Sequence, residues 1–386
     1  MIKEINSTLK VLILKTMLLV FAISVFHFET QAAQKCSNAL FDAVPIGALR
    51  PEFDHTVRYT KEIPQSRITN QCNLGTCHLY SWSNHLEANY LRRTGKEIRL
   101  SADYLSYIHF FASSIAALSR TNKDVKLSLG ASSIKSFELI KQYGLRPESS
   151  FNIGPEFKAG VPSARANAMI ENYIARVQLE LSKIQDPTKK QKAFVRRVQE
   201  LDSLFKEMFG DLPNNFQVEG KTYNARTFTQ EFFPELKEKI AVYQVQHRAK
   251  EKYQKVQETN TQEVYDIDRR AMDELIISQI DQGKNVYLSY EHKHELVDKP
   301  TGIMSIEAFN IPIKMLPLPL NRRQQFKLDD GGHAVQIVGY ELNPFTKELV
   351  KVKIKNSWGE KNGDAGYFHM YRDYLHTFVK SVVTLP

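Results

Sequence analysis

The fold is decided by the segment Gln71-Cys72-Asn73-Leu74-Gly75-Thr76-Cys77-His78, because a helical pattern begins at the end of this segment. Apolar residues then recur every three or four positions: Leu79, Trp82, Leu86 and Tyr90. This spacing predicts a helix from Thr76 to about Arg93, with Cys77 in its first turn. A cysteine at a helix start is usually a small buried apolar side chain. It is also a candidate nucleophile, since the positive end of the helix dipole stabilises a thiolate.

Two later segments carry the other candidate catalytic residues. The first runs Gly331-Gly332-His333-Ala334-Val335-Gln336-Ile337-Val338 and has the character of a strand. The second, Lys355-Asn356-Ser357-Trp358-Gly359, follows a predicted strand from Leu349 to Ile354. Lysines alternate with apolar residues in that strand, and Asn356 continues the apolar register. We therefore expect Asn356 to be buried, either as a hydrogen-bonded core amide or as a functional one.

These three segments, in this order, resemble the papain-like cysteine peptidases. In that family a Gln lies six residues before the nucleophilic Cys, a His lies in a His-Ala-Val strand, and an Asn opens an Asn-Ser-Trp-Gly motif. Gln71, Cys77, His333 and Asn356 occupy these positions. The resemblance covers the chain from about residue 55 to 386, except for a helical block. A looser resemblance points to the bleomycin hydrolase branch.

The resemblance implies a role for each residue. Cys77 attacks the carbonyl carbon, and His333 takes the thiol proton and later gives it to the leaving amine. Asn356 holds the imidazole in the required tautomer, and Trp358 shields that hydrogen bond from water. Gln71 and the backbone N–H of Cys77 form the oxyanion hole, where one lost donor typically costs about 10²–10³ in rate. A nearby imidazolium and the helix dipole should lower the pKa of the Cys77 thiol.

The resemblance also assigns substrate-binding positions. Gly130 stands where the family often has paired glycines in the wall that binds an extended peptide, and Gly75 and Trp358 are further candidates. His78 stands where the family usually has Trp. It is one residue beyond Cys77, about 100° around the helix axis, so it cannot face the thiol productively as a base.

The spacing of the motifs indicates one long insertion. His333 and Asn356 follow Cys77 by 256 and 279 residues, whereas about 130–150 residues is usual in this family. Residues 155–270 account for the excess, and they carry three apolar series at helical spacing. We therefore expect a helical insertion there that acts as a lid or docks a partner. The third series is Phe232, Leu236, Ile240 and Tyr243.

Together these patterns predict an α+β protein with the papain-like two-lobe fold. Residues 34–154 would form a helical lobe, with Ser101 as the N-cap of one helix and Gly144 ending another that begins at Ser133. Residues 155–270 would form the helical insertion. Residues 271–386 would form a β-rich, barrel-like lobe with strands that include Val286 to Tyr290.

The first 33 residues have the pattern of a secretory signal peptide. Three lysines up to Lys15 precede an apolar core of about 11 residues, and small residues follow at Ala32 and Ala33. The core is too short for a membrane span, which needs about 20 residues. We therefore expect a secreted or periplasmic protein without stable membrane insertion after cleavage. The alternative is an uncleaved membrane anchor.

Composition narrows the class of protein further. The net charge of +9 permits an anionic partner, but no arginine-rich tract or nucleic-acid motif accompanies it, so we expect no nucleic-acid partner. Three cysteines in 386 residues exclude a disulfide-built scaffold. If Cys77 is the nucleophile, Cys36 and Cys72 remain, and in an exported protein they either form a disulfide or stay two buried thiols. A Cys72–Cys77 pair, which would mask the nucleophile, is a further alternative. We expect no cofactor and no metal site, because the histidines are scattered.

The resulting functional hypothesis is an exported cysteine peptidase that cleaves a peptide or protein substrate through a thioester. We expect an endopeptidase, because the bleomycin hydrolase branch owes its aminopeptidase action to a long C-terminal arm, and here Leu385 and Pro386 follow the last strand closely. The alternatives are an aminopeptidase of that branch, a transpeptidase or amidase, and a non-catalytic peptide- or envelope-binding protein that keeps the fold.

Overall fold

The structure is a computed structural model that describes residues 46–120, 125–154, 158, 161–246, 252–328 and 332–385. The expected signal peptide and Cys36 lie outside the described residues. Among the helices that are described, none is both long and apolar enough to span a membrane.

Nine α-helices lie in the described part of the chain: α1 (Cys77–Thr94), α2 (Ala102–Ser119), α3 (Ser133–Tyr143), α4 (Val161–Ser182), α5 (Pro187–Phe209), α6 (Ala225–Phe232), α7 (Arg269–Asp281), α8 (Leu320–Gln325) and α9 (Arg372–Phe378). The helix boundaries follow the signals in the sequence. The Ser101 hydroxyl accepts a hydrogen bond from the Tyr104 N–H at 3.0 Å and caps α2. Gly144 ends α3 at φ +80°, where a Cβ would collide with the backbone of Ala225. Both predicted helix ends are confirmed.

The strands form one large mixed sheet and one small hairpin. Their bounds are β1 (Lys61–Glu62), β2 (Phe216–Val218), β3 (Lys221–Tyr223), β4 (Ile240–Val245), β5 (Tyr253–Glu258), β6 (Gln262–Ile267), β7 (Val286–Glu291), β8 (Val297–Asp298), β9 (Ile303–Met304), β10 (Gly332–Leu342), β11 (Leu349–Lys355), β12 (Tyr367–Tyr371) and β13 (Val379–Thr384). The large sheet has the order β5-β6-β4-β13-β7-β10-β11-β12-β9-β8, with β1 paired to β10, and β2 pairs with β3. The strands predicted around Val286, His333 and Leu349 are confirmed.

Buried apolar side chains form two clusters, one on each side of β7 and β10. The first joins α1 to α6 with one face of the sheet, and the second lies between the other face, α7 and α9. Helix α1 packs directly on the sheet, with the Trp82 and Tyr287 ring centroids 5.2 Å apart. This packing brings the N-terminus of α1 to the strand that carries His333.

The expectation of a wholly helical block over 155–270 is wrong. Helices α4 and α5 agree with the first two apolar series, but α6 ends at Phe232. Ile240 and Tyr243 lie in β4, which pairs with β6 and with β13 of the large sheet. A short apolar series fits a strand as well as a helix, and here the pairing with distant β13 decides the structure.

The lysines that alternate along β11 are not all solvated. Lys351 and Lys355 are buried, because residues 55–67 cover that face of the sheet. The Lys355 ammonium donates to the Ser66 carbonyl at 3.0 Å and to the Ser66 hydroxyl at 2.9 Å. Burial lowers the pKa of Lys355 to about 8, against the opposing charge of Glu87.

The predicted α+β class is confirmed by this mixture of helices and a large mixed sheet. The division into two lobes, the barrel-like form and the domain boundaries at residues 34, 155 and 271 stay predictions.

Candidate active site

His333 and Asn356 meet where β10 begins and β11 ends. The two strands are antiparallel, with Gln336 opposite Lys355, so the residues after β11 lie beside the first residues of β10. The His333 Nε2 atom lies 3.0 Å from the Asn356 Oδ1 atom. Because a carbonyl oxygen only accepts, this hydrogen bond assigns the proton to Nε2 and leaves Nδ1 free to accept one.

Trp358 covers this hydrogen-bonded pair. Its ring stacks on the His333 ring at a centroid distance of 4.7 Å and an interplanar angle of 22°. His333 is 7 % exposed and Asn356 is 2 % exposed. The contact that the sequence predicts between Trp358 and the imidazole is therefore present, and it limits access of water to the hydrogen bond.

Cys77 is the first residue of α1 and is half-buried. The backbone N–H groups of Ala334, His78 and Cys77 lie near its thiol and act to lower the pKa of the thiol. Ala334 follows His333 directly, so the thiol and the imidazole belong to one site. The Thr76 side chain makes no capping hydrogen bond to this helix end, which leaves first-turn amides facing the site.

The electrostatics of the pair differ from the expectation. Burial raises the pKa of the Cys77 thiol, and this effect outweighs the three N–H contacts that lower the pKa. Burial also lowers the pKa of His333 to about 4, although the bond to Asn356 acts in the opposite direction. Both changes favour a neutral thiol beside a neutral imidazole. Charge in this site therefore has to form by proton transfer between the two residues.

Gln71 lies beside the same site and is held in a fixed orientation. Its side-chain oxygen accepts a hydrogen bond from the Ser357 hydroxyl at 2.6 Å, and its Nε2 donates to the Leu74 carbonyl at 2.7 Å. The Gln71 N–H also donates to the Ser357 carbonyl. Ser357 therefore directs the amide N–H groups of Gln71 toward the loop before Cys77, a role that sequence analysis does not assign.

The two predicted substrate-binding glycines face each other. The Gly75 carbonyl oxygen lies 3.9 Å from the position that a Cβ of Gly130 would occupy. Both glycines are exposed and carry no side chain, so a peptide backbone can approach closely to the surface that they form together. His78, by contrast, is buried and faces away from the thiol toward Leu129 and Ser136.

The comparison with protein families decides the identification. A family model, the Peptidase C1-like family, matches residues 30–385. The chain belongs to the Peptidase C1-like family. The resemblance to papain-like cysteine peptidases is confirmed, and with it the expectation that the chain is a member of a family of cysteine-type peptidases.

Several individual proteins resemble this member of the Peptidase C1-like family. Cysteine proteinase 1, mitochondrial, of Saccharomyces cerevisiae is 25% identical over 119 residues, which are 30% of this chain and 24% of that protein, so the match spans about a quarter of the relative. Aminopeptidase G of Lactobacillus delbrueckii subsp. lactis is 21% identical over 363 residues, covering 84% of this chain and 82% of the relative. Aminopeptidase C of the same organism is 23% identical and covers 93% and 87%, respectively.

A solved structure supports the fold. The crystal structure of PepW from Lactobacillus rhamnosis HN001 matches with a TM-score of 0.68 at 17% identity, covering 86% of this chain and 82% of that chain.

Gln336 connects the two elements of the site in this Peptidase C1-like chain, and sequence analysis misses it. Its amide nitrogen donates to the Ser81 carbonyl at 2.9 Å and to the Ser81 hydroxyl at 2.7 Å. Its amide oxygen accepts from Asn285 at 2.8 Å and from the His85 ring at 2.9 Å. Ser81 lies one turn after Cys77, so Gln336 fixes α1 against β10. A polar residue within the apolar strand pattern is the one signal for this role.

His292 is a second missed residue, and it borders the imidazole. Its ring lies 5.7 Å from the His333 ring and 5.0 Å from the Trp358 ring, and its Nδ1 is 3.0 Å from the Tyr290 hydroxyl. Burial lowers the pKa of His292 to about 2, and the neighbouring His333 acts in the same direction. The sequence pattern indicates no role for His292 beside His333. In the described residues, no group of three or more His, Cys, Asp or Glu side chains is placed to hold a metal ion.

Cys72 lies in the loop before α1 and is not bonded to Cys77. Its φ of +51° is left-handed backbone, and its N–H donates to the Asn70 side chain at 2.9 Å. A Cys36–Cys72 disulfide stays a prediction, because Cys36 lies outside the described residues.

Proposed function

We propose that the protein is a thiol peptidase in which Cys77 is the nucleophile and His333 is the proton acceptor. One observation carries this proposal: the imidazole is fixed by a 3.0 Å bond to Asn356 beside a thiol at a helix N-terminus. That bond uses Nε2 and leaves Nδ1 to take the thiol proton. A thiolate at this position then faces the positive end of α1.

The proposed reaction has two steps. The Cys77 sulfur attacks the substrate carbonyl carbon as its proton moves to His333, and the oxyanion is stabilised by the Gln71 amide and the Cys77 N–H. The imidazolium gives the proton to the leaving amine, which produces a thioester and a new N-terminus. Water, deprotonated by His333, then hydrolyses the thioester and releases the carboxylate product.

We further propose aminopeptidase action as the mode of cleavage. The support is that two relatives named as aminopeptidases align with this chain over 82% and 87% of their own length. Endopeptidase action, expected from the sequence, is the second candidate. Its support is the exposed surface of Gly75 and Gly130, on which an extended peptide backbone can lie.

Peptides with free or blocked N-termini test both the chemistry and the mode. The mature chain, under reducing conditions, is incubated with matched acetylated and free peptides, and product masses are recorded over time. Stepwise loss of residues from free peptides alone supports an aminopeptidase. Internal cleavage of both sets supports an endopeptidase. Cys77→Ala is the control, and activity that persists in this variant contradicts the proposal.

The rival hypothesis, a non-catalytic binding protein, is tested on the same sample. If the site is catalytic, an alkylating reagent should modify the Cys77 thiol faster than the Cys72 thiol at pH 5 under reducing conditions. Equal, slow modification of both cysteines together with no peptide cleavage would favour the binding protein.

We also propose the finer papain-like arrangement, in which a helical lobe and a β-rich lobe form a cleft with the site at its base. The two buried apolar clusters on either side of β7 and β10 support this division. Peptide and protein substrates would bind in the cleft, and no cofactor is needed for the proposed steps.

Export is a separate proposal, supported by the charged start, apolar core and small residues of positions 1–33. Fusing these 33 residues to a reporter that is active only after export tests it. Replacing two core leucines, Leu18 and Leu19, with arginine is the matched control. A reporter that stays inactive with the intact segment would contradict the proposal.

A further inference from the structure

The segment 127–130, which carries Gly130, is irregular backbone at the rim of the site. Three consecutive residues of this segment are each held by a side chain from a different helix. We call residues 127–130 the rim segment. A strand is held by hydrogen bonds to the backbone of its neighbours, whereas the rim segment is held by side chains of α1, α2 and α4.

His78 on α1 holds Leu129. Its Nε2 lies 2.9 Å from the Leu129 carbonyl oxygen and its Nδ1 lies 2.6 Å from the Ser136 hydroxyl. The carbonyl only accepts, so Nε2 carries the proton, and Nδ1 faces the Ser136 hydroxyl, which also donates to the Ser132 carbonyl at 2.8 Å. Burial lowers the pKa of His78 to about 4, so the ring stays neutral near neutral pH and keeps both contacts.

His109 and Glu171 hold the two preceding residues. The His109 Nε2 donates to the Ser128 carbonyl at 3.4 Å. The Glu171 carboxylate accepts from the Leu127 N–H at 2.9 Å and pairs with Lys126 at 3.2 Å. Glu171 is 9 % exposed and belongs to α4, within the insertion of residues 155–270. Contacts with the Leu127 N–H and Lys126 lower the pKa of Glu171 despite burial, so it binds as a carboxylate.

No disulfide bond can hold the rim segment in place of these hydrogen bonds. The three cysteines of the chain are Cys36, Cys72 and Cys77, so no disulfide can join the rim segment to a neighbouring helix. The position of Gly130 opposite Gly75 therefore depends on these side-chain bonds. The Ser128 hydroxyl donates to the Gly130 carbonyl at 3.2 Å and extends the same restraint to the end of the segment.

We propose that Glu171 and His78 are positioning residues that hold the rim segment for peptide binding, so that the insertion contributes to substrate affinity through α4. This inference rests on the proposed peptidase function. Neither residue touches the reacting atoms, so loss of either should weaken peptide binding and leave the reactivity of Cys77 unchanged.

Two covalent probes of Cys77 separate binding from reactivity. Iodoacetamide is small and needs only the activated thiol, whereas a peptidyl chloromethyl ketone must also bind along the rim segment. We compare the second-order rates of both probes, scored at Cys77 by mass spectrometry, in the wild type, Glu171→Ala, Glu171→Gln and His78→Phe. Glu180→Ala is the matched control, since Glu180 lies on the same helix and pairs with Arg197 at 2.5 Å.

Glu171→Ala and His78→Phe should slow the peptidyl probe roughly tenfold, the loss expected for one strong buried hydrogen bond, with the iodoacetamide rate unchanged. Glu171→Gln keeps an amide oxygen for the Leu127 N–H and should restore part of the rate. Glu180→Ala should change neither rate.

Equal slowing of both probes, or no slowing of the peptidyl probe, would overturn the positioning role while the peptidase proposal stands. If Cys77 in the wild type reacts with neither probe, the proposed function fails and this inference fails with it. Thermal denaturation of each variant shows whether a slower probe reaction comes only from a loss of protein stability.

Discussion

At the scale of single residues, burial opposes the charging of either Cys77 or His333 on its own. Burial acts on Cys77 and His333 in opposite directions, raising the pKa of the thiol and lowering that of the imidazole to about 4. Neither group gains charge alone at neutral pH. The thiolate is favoured only when its proton stays close by on the imidazole, where the two opposite charges attract at short range.

We therefore expect a large effect of the imidazole on thiol reactivity. In His333→Ala, the buried thiol has no proton acceptor, so alkylation of Cys77 by iodoacetamide at pH 6 should slow by at least roughly tenfold, since each unit of raised pKa removes tenfold thiolate. Alkylation rates scored at Cys77 by mass spectrometry measure this, with Cys72 as the internal control. Equal rates in the variant and the wild type would refute proton transfer to His333.

Ser357 offers a second test, because it orients Gln71 through the 2.6 Å hydrogen bond to the amide oxygen. Gln71→Ala should lower kcat by about 10²–10³, the loss of one oxyanion donor. Ser357→Ala keeps the donor but frees its rotation, so we expect a smaller fall in kcat with KM unchanged. Steady-state kinetics on one peptide distinguish the two variants, and a fall for Ser357→Ala as large as that for Gln71→Ala would contradict the orienting role.

At the scale of helices and strands, the junction of α1 and β10 sets the distance between thiol and imidazole. The Gln336 side chain is fully buried and makes four hydrogen bonds across this junction. Gln336→Leu would leave the His85 and Asn285 donors buried without a partner, at about 1–3 kcal/mol each. A shift of about 1 Å between reacting groups can cost roughly 10²-fold in rate.

We therefore expect Gln336→Leu to lower both the unfolding free energy and kcat. Urea denaturation and peptide kinetics measure the two effects. Gln324→Leu is the matched control, because Gln324 is an exposed residue of α8. Unchanged kcat in a destabilised but folded Gln336→Leu would show that the junction does not control the site.

Local sequence patterns predict some of the helices and strands around the site and not others. Helix α1 and strands β7, β10 and β11 follow from local periodicity, and the motifs around Cys77, His333 and Asn356 lie on them. Strand β4 does not follow, since its identity depends on pairing with β13 at the far end of the chain. The partners of Gln336, Ser357 and His78 are also unpredictable, because each lies on an element distant in sequence.

At the scale of the whole molecule, several histidines are buried in neutral form. Seven described histidines have a lowered pKa with burial as the first cause: His55 and His109, together with His78, His85 and His333 at about 4, His369 at about 3 and His292 at about 2. An unfolded histidine has a pKa of about 6.5. The folded chain therefore excludes protons that the unfolded chain binds as the pH falls below that value.

This difference predicts loss of stability in mild acid. Between about pH 6.5 and pH 4 the unfolded state binds more protons, so the unfolding free energy falls with pH, by up to about 1.4 kcal/mol per pH unit for each such histidine. Glu87 opposes the trend, because burial raises its pKa and its folded form takes up a proton first. Urea denaturation at pH 7.5 and pH 5 should show a clear decrease, and His85→Gln should reduce the difference between the two values. An unfolding free energy that is equal at both pH values would mean that these rings accept protons without unfolding.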